Sequence, residues 1–135
     1  MLRSVKARDY MARDLVTFKP DTQLFYAINQ LLRYQISGAP VVDSQGGLVG
    51  VLSEVDCLRA ILTLTYHEEE FGGTVADYMS RDVCTVEHDA DIIRVADIFI
   101  KQGMRRLPVV QQGRLIGQIS RRDVLRAVEV FAQEG

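Results

Sequence analysis

Two stretches of this 135-residue chain put polar side chains where chemistry could be done. Gly50-Val51-Leu52-Ser53-Glu54-Val55-Asp56 and Gly117-Gln118-Ile119-Ser120-Arg121-Arg122-Asp123 each read as a strand end, a serine, and an aspartate three residues into a helix. Ser-x-x-Asp is a capping-box pattern, in which the serine hydroxyl accepts from the backbone N–H three residues on. The same geometry also suits a ligand. A helix N-terminus turns free N–H groups and partial positive charge outward, which favours a phosphate, and the serine adds a donor. The aspartate is an acceptor only and matches the paired hydroxyls of a ribose. The two uses are compatible, because the serine can cap while the aspartate faces a ligand.

The remaining reactive residue types form no constellation. Arg105, Arg106, Arg114, Arg121, Arg122 and Arg126 surround the single acid Asp123. They read either as a solvated charged surface or, for Arg105, Arg106, Arg121 and Arg122, as phosphate ligands. No aromatic residues interleave them, so nucleic acid is not expected as a partner. His67-Glu68-Glu69-Glu70 opens like a zinc-binding HExxH but lacks the second histidine, and His88 stands alone. Cys57 falls on the apolar face of a helix, and Cys84 has no base beside it. Neither an enzyme activity nor a catalytic cofactor or metal is expected.

Composition sets the class. Hydrophobic residues make up 47% and charged residues 25%, and 16 basic against 18 acidic residues leave a net charge of −2. That is ordinary globular composition with no global drive toward nucleic acid or an anionic membrane. The longest run of apolar residues and glycine, Gly46–Leu52, is too short to span a bilayer, and the first residues do not read as a signal peptide. Two lone cysteines make no disulfide framework, so the cytoplasm is the expected compartment.

The elements that must position the serines and aspartates occur twice. Asp9-Tyr10-Met11-Ala12-Arg13-Asp14 returns as Asp77-Tyr78-Met79-Ser80-Arg81-Asp82, a shift of 68 that also carries Pro40-Val41-Val42 onto Pro108-Val109-Val110. Beyond that point the shift is 67, taking Ser53 to Ser120 and Asp56 to Asp123. One residue has been lost between the turns Ser44-Gln45-Gly46-Gly47 and Gln112-Gly113. Each copy opens on a short β run, Leu15–Phe18 or Val83–Val86. An amphipathic helix follows, with Leu24, Ala27, Ile28 and Leu31 inward in copy one and Ile92, Val95, Ala96, Phe99 and Ile100 in copy two. Thr22 is the expected N-cap of the first and Gly103 the C-terminal stop of the second. Hairpins come next, Ala39–Asp43 with Leu48–Leu52 and Leu107–Gln111 with Arg114–Ile119. A second helix starts at Ser53 or Ser120, with Cys57, Ala60, Ile61 and Leu64, or Val124, Ala127, Val128 and Phe131, on its core face. The expected class is α/β (α+β), two β-α-β-β-α repeats at 5–64 and 75–132 joined by a linker at 65–74 and packed as a pseudo-twofold pair.

The chain resembles the CBS domain, the cystathionine β-synthase module that occurs in tandem as a Bateman module. The resemblance covers about residues 5–130 and is carried by Ala7-Arg8-Asp9-Tyr10-Met11 with Val75-Ala76-Asp77-Tyr78-Met79, the Pro-Val-Val strands, and Gly-x-x-Ser-x-x-Asp in both copies. It implies a regulatory protein that binds AMP, ADP, ATP, S-adenosylmethionine or NAD in clefts between the copies and signals to a protein target. An adenine nucleotide would be a regulatory ligand, not a catalytic cofactor. By the same resemblance, Asp56 and Asp123 would hold ribose hydroxyls, with Ser53 and Ser120 by the phosphate. Val16 and Cys84 would meet adenine through the backbone, and Ile36, Ser37, Met104 and Arg105 would line base and phosphate. A cleft would mix Val16, Ile36 and Ser37 with Ser120 and Asp123, and Cys84, Met104 and Arg105 with Ser53 and Asp56.

The copies depart from one another. Where copy two has Arg105-Arg106 ahead of the proline, copy one has Ser37-Gly38, and between serine and aspartate Arg121-Arg122 replaces Glu54-Val55. The first exchange predicts that one of the two clefts holds phosphate poorly or stays empty, and the second that the cleft ending in Ser120 and Asp123 is the better phosphate site. The second helix of copy one is apolar on more than one face, with Cys57, Leu58, Ala60, Ile61, Leu62 and Leu64, which predicts a homodimer surface. The alternative to a nucleotide sensor is a dimeric interaction scaffold with degenerate, unoccupied clefts.

Overall fold

Each serine–aspartate segment lies at the junction of a hairpin and a helix, and the fold is built around those two junctions. The computed structural model describes residues 2–67 and 72–134. A 3-10 turn at Leu2–Ser4 and a short helix α1 (Ala7–Tyr10) precede α2 (Leu24–Arg33), β1 (Gly38–Val42), β2 (Leu48–Ser53) and α3 (Glu54–His67). The pattern then returns as α4 (Val75–Tyr78), β3 (Val86–Glu87), α5 (Ile92–Gln102), β4 (Arg106–Gln111), β5 (Arg114–Ser120) and α6 (Arg121–Glu134).

The units of packing are permuted relative to the repeats of sequence. One compact unit is Val16–Val83, and the other joins Met1–Leu15 to Cys84–Gly135; they are called here the Ser53 unit and the Ser120 unit. Ala7 and Met11, from the start of copy one, are buried in the Ser120 unit with Ile92, Val95, Phe99, Leu107, Val109, Ile119 and Val124. Val75 and Met79, from the start of copy two, fill the equivalent place with Leu24, Ala27, Leu31, Val41, Leu52 and Cys57 in the Ser53 unit.

In both units an antiparallel hairpin carries the serine. Gly38 pairs with Ser53 and Arg106 with Ser120, and both ladders shift register at the same place, between Val41 and Val42 or Val109 and Val110. The missing residue is in the turn: Gln112 and Gly113 both have positive φ, 53° and 77°, as a two-residue type I′ connection requires. A short segment crosses the hairpin's outer strand. Ala12 exchanges backbone hydrogen bonds with Gln118 (2.8 and 2.9 Å), as Ser80 does with Val51 (both 2.9 Å). The close approach depends on glycine. A Cβ on Gly117 would lie 2.9 Å from the Ala12 carbonyl oxygen and closer still to Met11 Sδ, and one on Gly50 would lie 2.9 Å from the Ser80 oxygen and 2.7 Å from Met79 Sδ.

Several expectations are corrected. The runs 15–18 and 83–86 are mostly extended chain outside any ladder. Only Phe18 bridges to Val41, and β3 pairs for two residues, because these segments meet the sheet edge briefly. The N-cap of α2 is Gln23, not Thr22, whose hydroxyl instead accepts from the Lys19 N–H at 3.1 Å. In the equivalent place Asp91 caps α5 by accepting from Arg94 N–H at 2.8 Å. Gly103 ends α5 in the left-handed region as expected. Ile100 is 83% exposed, and Ile61 and Val128 are exposed too, so these apolar positions do not join the core of their own unit. Leu64 lies outside the residues whose side chains are described. Helix α3 runs on through His67, into the stretch read as linker, and residues 68–71 of that stretch lie outside the described residues.

Candidate functional site

At the start of α6 the capping box forms as its residue types dictate. Asp123 N–H donates to Ser120 Oγ (3.1 Å), and Ser120 N–H donates to Asp123 Oδ2 (2.8 Å). Arg126, one turn on, donates to Asp123 Oδ1. At the start of α3 the same box joins Asp56 N–H to Ser53 Oγ (3.2 Å) and Ser53 N–H to Asp56 Oδ2 (2.8 Å).

The two carboxylates then part company. Asp56 is 4% exposed and receives three further donors: Ser53 Oγ (3.0 Å), Arg59 (3.5 Å) and Ser80 Oγ (3.1 Å). A carboxylate offers about four acceptor positions. Those of Asp56 are all taken. Among the described residues Asp123 receives only the Ser120 N–H and Arg126, which leaves about half of its acceptor capacity unused. Its side chain is 13% exposed and opens on a cavity of about 220 Å³ lined by Ala12, Arg106, Gln118, Ser120 and Asp123 itself. Ala12 stands where the other unit has Ser80, and a methyl group cannot donate. The cavity thus presents a carboxylate with spare lone pairs, a serine oxygen and a guanidinium, a set able to grip a polyhydroxyl molecule that also carries negative charge.

The other candidate residues divide between the units. Val16, Ile36, Ser37, Ser53 and Asp56 belong to the Ser53 unit, and Cys84, Met104, Arg105, Arg106, Ser120, Arg121, Arg122 and Asp123 to the Ser120 unit. Val16 and Ile36 are partly buried against the core of their unit, as are Cys84 and Met104 in theirs. Ser37 is exposed, and its carbonyl accepts from Glu54 N–H at 2.9 Å. Arg121 does not line the Asp123 cavity: its Nε donates to the Met104 carbonyl at 2.7 Å, on the wall of a separate apolar groove. That groove, about 430 Å³, lies between α5 and α6 and includes Ala96, Phe99, Ile100, Val124 and Leu125. Its counterpart between α2 and α3, about 210 Å³, has Leu32, Cys57, Leu58 and Ile61, with Glu54 in place of Arg121. Burial pushes the Cys57 thiol above its ordinary pKa, and the Asp56 and Glu54 carboxylates add to the effect. A neutral, packed thiol is no nucleophile. Among the described residues no cluster of three His, Cys, Asp or Glu could hold a metal ion, and no helix is long and apolar enough to cross a membrane.

Sequence reasoning missed Ala12, Ser80 and Gln118. The signal was present in the repeat itself, because Ser80 against Ala12 is the one difference within two otherwise identical hexapeptides.

The CBS domain model matches twice, over residues 7–63 and 75–130. The chain belongs to the CBS domain family. An uncharacterized protein of Methanocaldococcus jannaschii is 32% identical over 119 residues, which are 88% of this chain and 41% of that protein. Inosine-5′-monophosphate dehydrogenase of the same organism is 34% identical over 122 residues, 90% of this chain and 23% of the enzyme. The chain therefore spans less than half the length of these curated relatives. Among solved structures, CBSX2 in complex with AMP matches with a TM-score of 0.81 and 29% identity, covering 95% of this chain and 98% of that one. CBSX2 is a CBS-pair protein from Arabidopsis thaliana. The CBS domain of a CBS domain containing membrane protein from Sphaerobacter thermophilus matches with a TM-score of 0.73 and 31% identity, covering 93% and 89%. The tandem CBS pair and its mixed α and β architecture follow.

Proposed function

We propose that this CBS pair is a cytoplasmic regulatory module that binds an adenosine-containing ligand through Asp123 and passes its occupancy to a protein target. The observation that carries the reading is the Asp123 carboxylate, with acceptor capacity to spare beside Arg106 and Ser120 in the 220 Å³ cavity. Ribose hydroxyls would donate to Asp123, and Arg106 would meet the phosphate. The AMP complex of CBSX2 supports an adenine nucleotide as the ligand class. No turnover is proposed. Ser120 Oγ accepts from the Asp123 N–H as a cap, and the aspartate beside it is tied to Arg126, so neither is set up as a nucleophile–base pair.

The scaffold reading draws on a different observation: Asp56 has no acceptor position left, so the Ser53 unit offers no open counterpart. The two readings separate in a thermal-shift panel of AMP, ADP, ATP, NAD and S-adenosylmethionine. A ligand at 100 times its Kd adds about 2.7 kcal/mol of stability. We expect at least one of the five to raise Tm, and Asp123→Ala to cut that shift to about half or less; a Tm unmoved by all of them leaves the scaffold. A hydrogen bond to a charged group is worth about 1.5–3 kcal/mol, so Asp123→Ala should weaken binding roughly tenfold to a hundredfold.

A further inference from the structure

We propose that the Ser80 hydroxyl occupies, in the Ser53 unit, the place that a ligand hydroxyl takes in the Ser120 unit, so that the residue at position 12 or 80 decides which aspartate is open to ligand. The inference rests on the reading that Asp123 receives a hydroxyl-bearing ligand, and it adds the reason why only one of two nearly identical junctions does.

The argument is one of equivalent positions. Ala12 and Ser80 occupy the same step of the same motif, each bonded through its backbone to the strand residue two before the serine, Gln118 or Val51. Gly117 and Gly50 admit both crossing segments to the same closeness. The side chain at this step is thereby held beside the carboxylate edge. In the Ser53 unit that side chain is a serine whose Oγ donates to Asp56 Oδ1 at 3.1 Å. Arg59 and Arg126 are equivalent too, and each reaches the Oδ1 of its own aspartate. What the Ser120 unit lacks is the Ser80 donor, together with a bond from the Ser120 hydroxyl to Asp123 Oδ2 equivalent to the one Ser53 Oγ makes to Asp56 Oδ2 at 3.0 Å. The molecule therefore carries its own record of what Asp123 Oδ1 accepts: an uncharged hydroxyl approaching from the side of residue 12. A ligand hydroxyl at the Ser53 unit would have to displace a bond that the chain already makes intramolecularly, whereas at the Ser120 unit it meets an oxygen that Arg126 occupies on one side only and that keeps a lone pair to accept with.

The test exchanges the two residues and titrates AMP calorimetrically, with Tm measured without ligand. The wild-type chain should take up one AMP. Ala12→Ser should raise the ligand-free Tm, because the new hydroxyl completes Asp123, and should weaken AMP binding at least tenfold. Ser80→Ala should lower the ligand-free Tm and add a second site that a further Asp56→Ala change removes. Ala12→Ser that binds AMP as wild type does, or leaves Tm unmoved, overturns the exchange while the adenosine reading stands. A wild-type chain that takes up none of the five adenosine compounds, with Tm still raised in Ala12→Ser, overturns the adenosine reading instead.

Discussion

Asp56 and Asp123 share a residue type, a cap and a neighbouring arginine, yet differ in what more they can accept. Removing them should have opposite consequences. Asp56→Ala removes a buried carboxylate that accepts from the half-buried Ser53 N–H, from two serine hydroxyls and from Arg59, so it should lower stability by about 1–3 kcal/mol in all and leave AMP binding intact. Asp123→Ala strands the equivalent Ser120 N–H and frees Arg126 but loses no hydroxyl donor, so it should lower Tm less than Asp56→Ala and weaken AMP binding roughly tenfold to a hundredfold, as calorimetry and thermal melts on the two variants can check. Cys57 offers a second test at this scale. With its pKa raised by burial and by Asp56 and Glu54, the thiolate is scarcer at pH 8 than in a solvated cysteine. Alkylation by iodoacetamide should therefore be slow at Cys57 at pH 8 and should accelerate with rising pH beyond the range where a free thiol levels off. Alkylation of the native protein at the rate of a free thiol would show that the helix face is open.

Between residue and molecule stand the short crossing segments, and here the sequence was least readable. The hairpins and the strand–serine–helix junctions were legible because their causes are local: alternation, turn residues, and a cap three residues from its partner. The single-residue loss fell in the turn for the same reason. Local pattern could not say that α1, at the head of copy one, packs with copy two, since a repeat records what an element is and not which body it joins. Nor could it assign Ser80 to Asp56 across 24 residues. Ile100 shows the limit of periodicity, which marks an apolar face without naming what covers it. The permuted packing makes a prediction that repeat boundaries alone would not. Met11 is buried in the Ser120 unit, so Met11→Ala should cost about 2–5 kcal/mol there. Hydrogen exchange should quicken at the amides of Leu107, Val109 and Ile119, while Val41 and Leu52 keep their protection. Loss of protection in the Ser53 unit first would place the segment with its own repeat.

For the whole molecule, what counts is the apolar surface that neither unit buries. Leu58 and Leu62 on α3 are 59% and 71% exposed, and Ile100 and Leu125 on the α5–α6 pair are 83% and 67% exposed. Leu58, Ile100 and Leu125 line the two helix-pair grooves, and with Leu62 on the same helix as Leu58 they expose apolar surface that a second copy of the chain would cover in the expected dimer. The rims set the orientation. Joining like grooves would face Arg121 with Arg121 and Glu54 with Glu54, while joining unlike grooves faces Arg121 with Glu54. Exposed pairs of this kind are worth only about 0.2–1 kcal/mol each, so in such a dimer the charges would choose the pairing and the leucines would supply the affinity. Light scattering should give twice 15.2 kDa, and Leu58→Glu or Leu62→Glu should lower it toward the monomer. Glu54→Arg should weaken the dimer, more so at low salt, and Arg121→Glu added to it should restore the association, because the pair is then reversed rather than lost. If Glu54→Arg leaves the dimer as strong as in the wild type, like grooves meet; a wild-type monomer throughout the micromolar range overturns the dimer.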